Sequence, residues 1–434
     1  MKVLWFANTP SLGANYLNVK GIGGGWIESL ETELNIIPNI KLGVVFKWNK
    51  PGVAKIFNIG NTQYFPVSIC IPQGRIKKLL NRWSHKIENE ENIPQYLEII
   101  RQFAPDIIHI FGSESDFGLI IRKTSVPCII HIQGNLNVYN HKWFNGISQI
   151  DVLRYSKKKL LFMGYGLVHN YFVMKKEARR ERKIFKDCQF FMGRTDWDRR
   201  ITLALSGNSK YFHCDEMMRK PFYQHRWEQK KTKDYIIFTT IRNNIYKGLE
   251  TIFECMNLLQ KRRKELNIVW KIAGISPNDE ISNLIERKFN LTFLNLGIQL
   301  LGPLQESKLL IEMLGADLFV HPSHIDNSPN SVCEAMLLGM PIISSNAGGI
   351  PSLMNDKKEG LLVQNGDPFA LTGAIMELID DRNLACSFGV NARIKAIDRH
   401  KPEKIVNNLL QIYSLITSDD INKRTINQDV IQPV

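Results

Sequence analysis

Alternation constrains this chain more than any other feature: apolar runs of strand length recur between longer segments of helical period, in two series parted by one polar stretch. In the first series "KVLWFA" (2–7), "LGVVFK" (42–47), "DIIHIFG" (106–112) and "CIIHIQG" (128–134) predict buried strands, with helices over 25–34 and 93–103 between them. From about 140 to 186 the pattern turns irregular and basic, and "QHRWEQKKTK" (224–233) predicts a linker. The alternation restarts with "YIIFTTI" (235–241), a helix over 249–265, "IVWKIAGI" (268–275), "ADLFVHPS" (316–323) and "PIISS" (341–345). Two α/β domains with a cleft between them follow, over residues 1–225 and 226–395. Residues 396–434 are expected to form a helix crossing back to the first domain, with a loose tail beyond about 416. A length of 434 residues suits two cores rather than one.

Composition narrows the function classes. No apolar run reaches the roughly 18–20 residues of a membrane span, and "MKVLWFANTP" lacks the signature of a signal peptide. Seven cysteines without a C-x-x-C pair fit neither a disulfide framework nor a zinc site, so reduced thiols in a cytoplasmic protein are expected. The net charge of +14 calls for an anionic partner. In "GRIKKLLNRWSHK" (74–86), Ile76, Leu79, Leu80, Trp83 and Ile87 keep helical spacing while Arg75, Lys77, Lys78, Arg82 and Lys86 take the rest of the circumference. That pattern suits the inner face of an anionic membrane, and equally a solvated helix packed on a core. Nucleic acid is not expected, because no binding motif accompanies the charge.

Ligands of open α/β sheets bind beyond the carboxyl ends of the strands, so strand-end residues carry the functional reading. "GIGGGW" (21–26) follows the first strand and opens a helix; its glycines, Gly24 and Gly25 among them, would let amides approach an anion. It is not a dinucleotide fingerprint, since Trp26 stands where the third glycine would be. In "TTIRNNIYKG" (239–248), Arg242 and Lys247 converge on one strand end and suit a diphosphate. "HIDNSPNSVCEAMLLGMP" (324–341) places Asp326 at a strand end and amides near Ser331 at a helix start, with Gly339 as the helix stop. Ser331 and Glu334 also have capping-box spacing, a purely structural alternative for Glu334. "TDWD" (195–198) reads as a helix cap rather than a metal site, and no other cluster has ligand spacing.

These motifs together resemble family 4 retaining glycosyltransferases, also described as glycosyltransferase group 1, which have the GT-B fold. The match comprises Asp326 and Glu334 at E-x7-E spacing, Pro329-Asn330, Glu334–Met336, Gly339-x-Pro341, "IRNNIYKG", "LGPLQESKLL" (301–310) and "AGGIPS". It is strongest over 235–395, and "PDIIHIFG" extends it to the first half. The resemblance implies two Rossmann-like domains and transfer of a hexosyl-type sugar, with retention, from a nucleotide-diphosphate sugar to a glycan or lipid-linked acceptor in surface or capsular polysaccharide synthesis. No cofactor or metal is implied. Glu334 would hold the ribose, Asp326 the donor sugar, and Arg242 and Lys247 the diphosphate. Amides near Pro329, Asn330, Ser331, Gly348 and Gly349 would contact sugar or phosphate, and Gly24 and Gly25 would complete the phosphate site. The chain departs from the pattern at Asp326 (usually Glu), Ser352 (usually acidic) and Gln133, where many members carry a cleft histidine. His131, two residues earlier on the same strand face, and His109 are the candidates for that role, against the alternative that a strand histidine is packed in the core. A nucleotide-sugar epimerase of the same fold and a non-catalytic nucleotide-sugar-binding protein are the alternatives.

Overall fold

The computed structural model describes residues 1–18, 25–49, 55–69, 74–230 and 234–429, with side chains to 418. Two sheets organise it. The first contains β1 (Lys2–Phe6), β2 (Lys41–Trp48), β3 (Phe57–Ile59), β4 (Thr62–Ser68), β5 (Ile107–Phe111), β6 (Cys128–His131), β7 (Phe190–Gly193) and β8 (Lys210–His213), in the spatial order β3-β4-β2-β1-β5-β6-β7-β8. All its neighbours pair in parallel except β3, which turns back on β4. The second contains β9 (Asp234–Thr240), β10 (Asn267–Ala273), β11 (Ile298–Gly302), β12 (Leu318–His321), β13 (Ile342–Ser345) and β14 (Leu361–Val363), wholly parallel in the order β11-β10-β9-β12-β13-β14.

The central strands carry near-continuous apolar runs because helices cover both faces of a parallel sheet. Strands β1 and β5 are buried along almost their whole length. The helices Gly25–Leu34 and Ile93–Phe103 match the periodicity residue for residue. The basic stretch after 140 is not irregular: it forms helices at Gln149–Tyr155, Lys158–Phe162 and Leu167–Asp187. Some of its apolar residues pack on the second core, where Trp143, Ile147, Val152 and Leu167 are buried with Tyr246, Leu249 and Ile252, while Ile184 and Phe185 pack in the first. Part of the first half of the chain is therefore built onto the second core.

The last helix is Pro402–Asp429. It returns to the first sheet, burying Ile405, Val406, Leu409, Ile412, Tyr413 and Ile416 against that core. The Tyr413 hydroxyl meets Trp5 Nε1 at 3.3 Å and His109 Nδ1 at 2.5 Å. This tie predicts that Tyr413→Ala costs roughly 3–5 kcal/mol through lost aromatic burial and orphaned polar groups, read as a lowered midpoint in urea denaturation. Tyr413→Phe should cost less, since only the hydroxyl is lost.

Candidate functional site

Each sheet has one place where the chain changes direction across it, and that is where open α/β sheets form crevices. In the second sheet this switch lies between β9 and β12. The segment leaving β9 carries Arg242 and a short helical turn at Ile245–Lys247, closed by Gly248 at φ +77°. A Cβ on Gly248 would lie 2.2 Å from the carbonyl oxygen of Pro322, so only glycine lets this turn pack against the segment leaving β12. The packing brings Lys247 Nζ to 2.6 Å from Asp326 Oδ2, and His321 Nε2 to 3.2 Å from the same oxygen. Burial would raise the Asp326 carboxyl, but the Lys247 ammonium and the His321 contact outweigh it and hold it well below the ordinary carboxylate range. Arg242 is exposed and makes no ion pair among the described residues.

The helix Asn330–Leu338 starts beside this pair. Its N-cap is Pro329, and no side chain caps it, which corrects the Ser331–Glu334 capping box. The amides of Val332 and Cys333 donate to the carbonyl of Pro329; those of Asn330 and Ser331 have no backbone acceptor among the described residues and point the positive end of the helix toward the crevice. The Glu334 side chain is instead taken by Arg219, whose Nε and Nη2 donate to Glu334 Oε1 at 2.8 and 2.6 Å. Arg219 also lies 3.4 Å from Glu306. Burial pushes the Glu334 carboxyl up to about 7; Arg219 opposes the rise and Glu306 adds to it. Gly25 packs on this pair, since a Cβ there would stand 2.6 Å from Arg219 Cδ. Gly24 lies outside the described residues.

The loop between Asp326 and Pro329 is clamped to the first sheet. Asn327 accepts from Thr195 Oγ1 at 2.7 Å and donates to Asp198 Oδ2 at 3.1 Å and to the carbonyl of Gln133 at 3.4 Å. Ser328 Oγ donates to the buried Glu216, which also draws Arg399 and Arg194. Thr195 and Asp198 form the expected capping box of the helix Asp196–Leu205. Ser352, where the resemblance would have an acid, accepts from the amide of Asp196 at 3.1 Å.

Gly348 and Gly349 serve this same loop. A Cβ on Gly348, at φ +58°, would lie 1.8 Å from the Asp326 carbonyl oxygen, and one on Gly349 would lie 2.2 Å from that of Asn327. The Gly349 amide donates to the Asp326 carbonyl at 3.0 Å, so it is committed within the protein rather than free for a phosphate. His109 and His131 are packed inside the first domain, not in the cleft: His109 stacks on Phe111 and bonds Tyr413, and His131 packs edge-on to Trp26. Burial takes the His109 imidazole down to about 3 and depresses His131 as well, the state of core histidines. Gln133 is half-buried at the domain junction, where its carbonyl also accepts from Arg194 at 2.9 Å.

Several residues here escaped the sequence reading. Glu216 and Arg219 belong to "CDEMMRKPFY" (214–223), which carries no recognisable pattern. Glu114 follows β5 at the switch point of the first sheet, and its Oε2 is buried with no hydrogen-bond partner among the described residues. Burial and Glu181 push its carboxyl up to about 7 against the pull of Arg194 and Arg242. Among the described residues one donor cluster could suit a metal, Glu216 with Cys333 and His400. Arg194 and Arg399 already balance that carboxylate, and burial holds the Cys333 thiol far above its ordinary range, so the donor set does not suit a cation.

Comparison with known proteins adds an independent line. Residues 223–395 match the family described as "Glycosyl transferases group 1". An uncharacterized glycosyltransferase of Methanocaldococcus jannaschii is 27% identical over 149 residues, 34% of this chain and 37% of that protein. A capsular polysaccharide biosynthesis glycosyltransferase of Staphylococcus aureus is 27% identical over 25% of this chain and 28% of its own length. The chain thus spans well under half the length of the curated relatives it matches. Over 96% of its length it superposes on the whole of sucrose-phosphate synthase from Thermosynechococcus elongatus, with a TM-score of 0.70 at 14% identity. The Anabaena protein HepE, solved with UDP and glucose, superposes over 95% of this chain and 99% of its own, with a TM-score of 0.61 at 12% identity. The fold is GT-B.

Two stability effects follow from the buried charges. Lys247→Met leaves the buried Asp326 with His321 alone beside it, and should cost roughly 3 kcal/mol at pH 7; Asp326→Asn in the same chain should restore most of it, as chemical denaturation would show. The Glu334 carboxyl, raised from its ordinary 4.5 to about 7, binds its proton more tightly in the folded state. Its effect on stability therefore declines as pH rises from 4.5 to about 7 and is level above. Glu334→Gln should flatten that part of the pH profile.

Proposed function

We propose that this protein transfers a hexosyl-type sugar from a nucleotide-diphosphate sugar to a glycan or lipid-linked acceptor, in the assembly of a surface polysaccharide. The observation that carries the reading is the grouping at the second sheet's switch point: Lys247 paired with Asp326 at 2.6 Å, an exposed Arg242, and a helix N-terminus at Asn330 and Ser331. The family match over 223–395 covers the same elements and supports it.

Breaking an anomeric carbon–oxygen bond leaves a nucleoside diphosphate, so the main task is to stabilise negative charge on the departing phosphate. Arg242, with no ion pair among the described residues, is suited to a bidentate hold on phosphate oxygens. Lys247 is not a free cation here, because Asp326 already balances it; a phosphate entering beside it would share its three N–H donors. The Asn330 and Ser331 amides would add a preorganised, uncharged contribution. Asp326, ionised through its partners, would accept hydrogen bonds from donor-sugar hydroxyls, and Glu334 Oε2, which accepts nothing among the described residues, would take the ribose. Among the described residues no carboxylate pair is identified as nucleophile and acid, so the reading is departure and attack on the same face, with retention. Glu114 would face the reacting sugar from the first domain.

Nucleotide release from a panel of UDP- and GDP-sugars with a glycolipid acceptor fraction and EDTA present tests this. One donor should support release, and Arg242→Ala should lower kcat about 100- to 1,000-fold while leaving thermal stability unchanged, since the side chain is exposed. Release in the absence of any acceptor, or binding of a nucleotide sugar with no release under any condition, would remove the transferase reading.

A further inference from the structure

The helix Arg75–Trp83 has no buried residue, although Ile76, Leu80, Trp83 and Leu79 are large and apolar, with exposures of 77%, 62%, 47% and 41%. A free nine-residue helix is marginal in water, and packing of its own apolar face does not hold this one. Its C-terminal end is fastened to a second segment. Trp83 Nε1 donates to the carbonyl of Phe162 at 3.2 Å, the Arg82 guanidinium stacks 3.9 Å over the Tyr165 ring, and His85 Nε2 meets His169 Nδ1 at 2.9 Å. That second segment, the short helix Lys158–Phe162 and the turn after it, also turns outward: Phe162 is 71% exposed, Met163 41% and Tyr165 42%. Two stretches about 80 residues apart in sequence thus present one apolar ridge.

Within the two stretches themselves the charge has one sign, although Glu280 reaches the second at Leu167 and Lys86 pairs with Glu91. Residues 74–87 and 152–176 contain no Asp or Glu, while Arg75, Lys77, Lys78, Lys158 and Lys159 are exposed beside the apolar side chains. Lysine is depleted at the centre of protein interfaces, whereas interleaved lysine with Trp, Phe and Leu is the pattern of elements lying in the headgroup layer of a bilayer. No helix among the described residues is long and apolar enough to cross a membrane. We infer that the ridge formed by 75–83 and 158–165 docks onto an anionic lipid surface, with Ile76, Leu80 and Phe162 entering the headgroup–acyl boundary and the flanking lysines meeting lipid phosphates. This surface is separate from the crevice, and its test does not depend on the transfer reaction.

Flotation of the full chain with phosphatidylcholine vesicles, with and without about a third phosphatidylglycerol, measures it. Binding to the anionic vesicles should be at least tenfold tighter than to the neutral ones and should weaken in high salt. Each of Lys77→Gln and Lys158→Gln should cost about fivefold. Leu80→Ser with Phe162→Ser should abolish flotation, while Leu294→Ser, an equally exposed residue elsewhere, should change nothing. Circular dichroism checks that the variants remain folded. Absence of binding, equal partition to both vesicle types, or sedimentation showing a dimer that Leu80→Ser dissolves would overturn the inference; the last would assign the ridge to a second copy of the chain.

Discussion

Asn327 ties the two sheets together, and the site depends on that tie. Its side chain is buried and shared between Thr195 and Asp198, both from the first domain, at 2.7 and 3.1 Å. Its carbonyl lies so close to Gly349 that no Cβ fits between them. The loop from Asp326 to Pro329 is therefore fixed from both sides before any ligand arrives. A carboxylate one residue before this clamp and a helix N-terminus three residues after it inherit that precision, which is what preorganised electrostatics requires. The glycines around the loop are explained by backbone packing rather than by ligand contact.

Two largely buried charge pairs lie in the crevice. Lys247 with Asp326 and Arg219 with Glu334 are each pairs in which one partner would be expensive to bury alone. Arg219 comes from the junction between the domains, so the carboxylate assigned to the ribose depends on a segment outside the second sheet. Glu334 and Glu114, both raised to about 7, are the two acids least well compensated by their surroundings. Groups of this kind gather where function tolerates a cost in stability.

The sequence made some of this legible, for identifiable reasons. Continuous apolar runs placed β1, β5 and β9 to within a residue at each end and β12 to within two, because a strand buried on both faces has little choice of composition. The caps at Thr195 and Gly339 were legible because their chemistry is local. The β3–β4 hairpin, β7, β8, β11 and β14 passed unnoticed; all lie toward the sheet edges, and all but β4 have five residues or fewer. The Ser331–Glu334 spacing satisfied a local rule that tertiary contact overrode: Arg219, 115 positions away, makes stronger charged hydrogen bonds to Glu334 than a helix amide would. The strand histidines His109 and His131 are core, the alternative that their place in buried strands already raised. Long-range partners such as Arg219, Glu216 and Asn327 have no periodic signature at all.

The central claim is that a nucleoside diphosphate occupies the crevice between β9 and β12. A crystal structure of the protein with UDP or GDP bound tests it most directly. The account predicts the diphosphate within hydrogen-bonding distance of Arg242, Lys247 and the amides of Asn330 and Ser331, with the ribose on Glu334. Nucleotide density at any other place on the molecule, or a diphosphate that leaves Arg242 and Lys247 untouched, would contradict it.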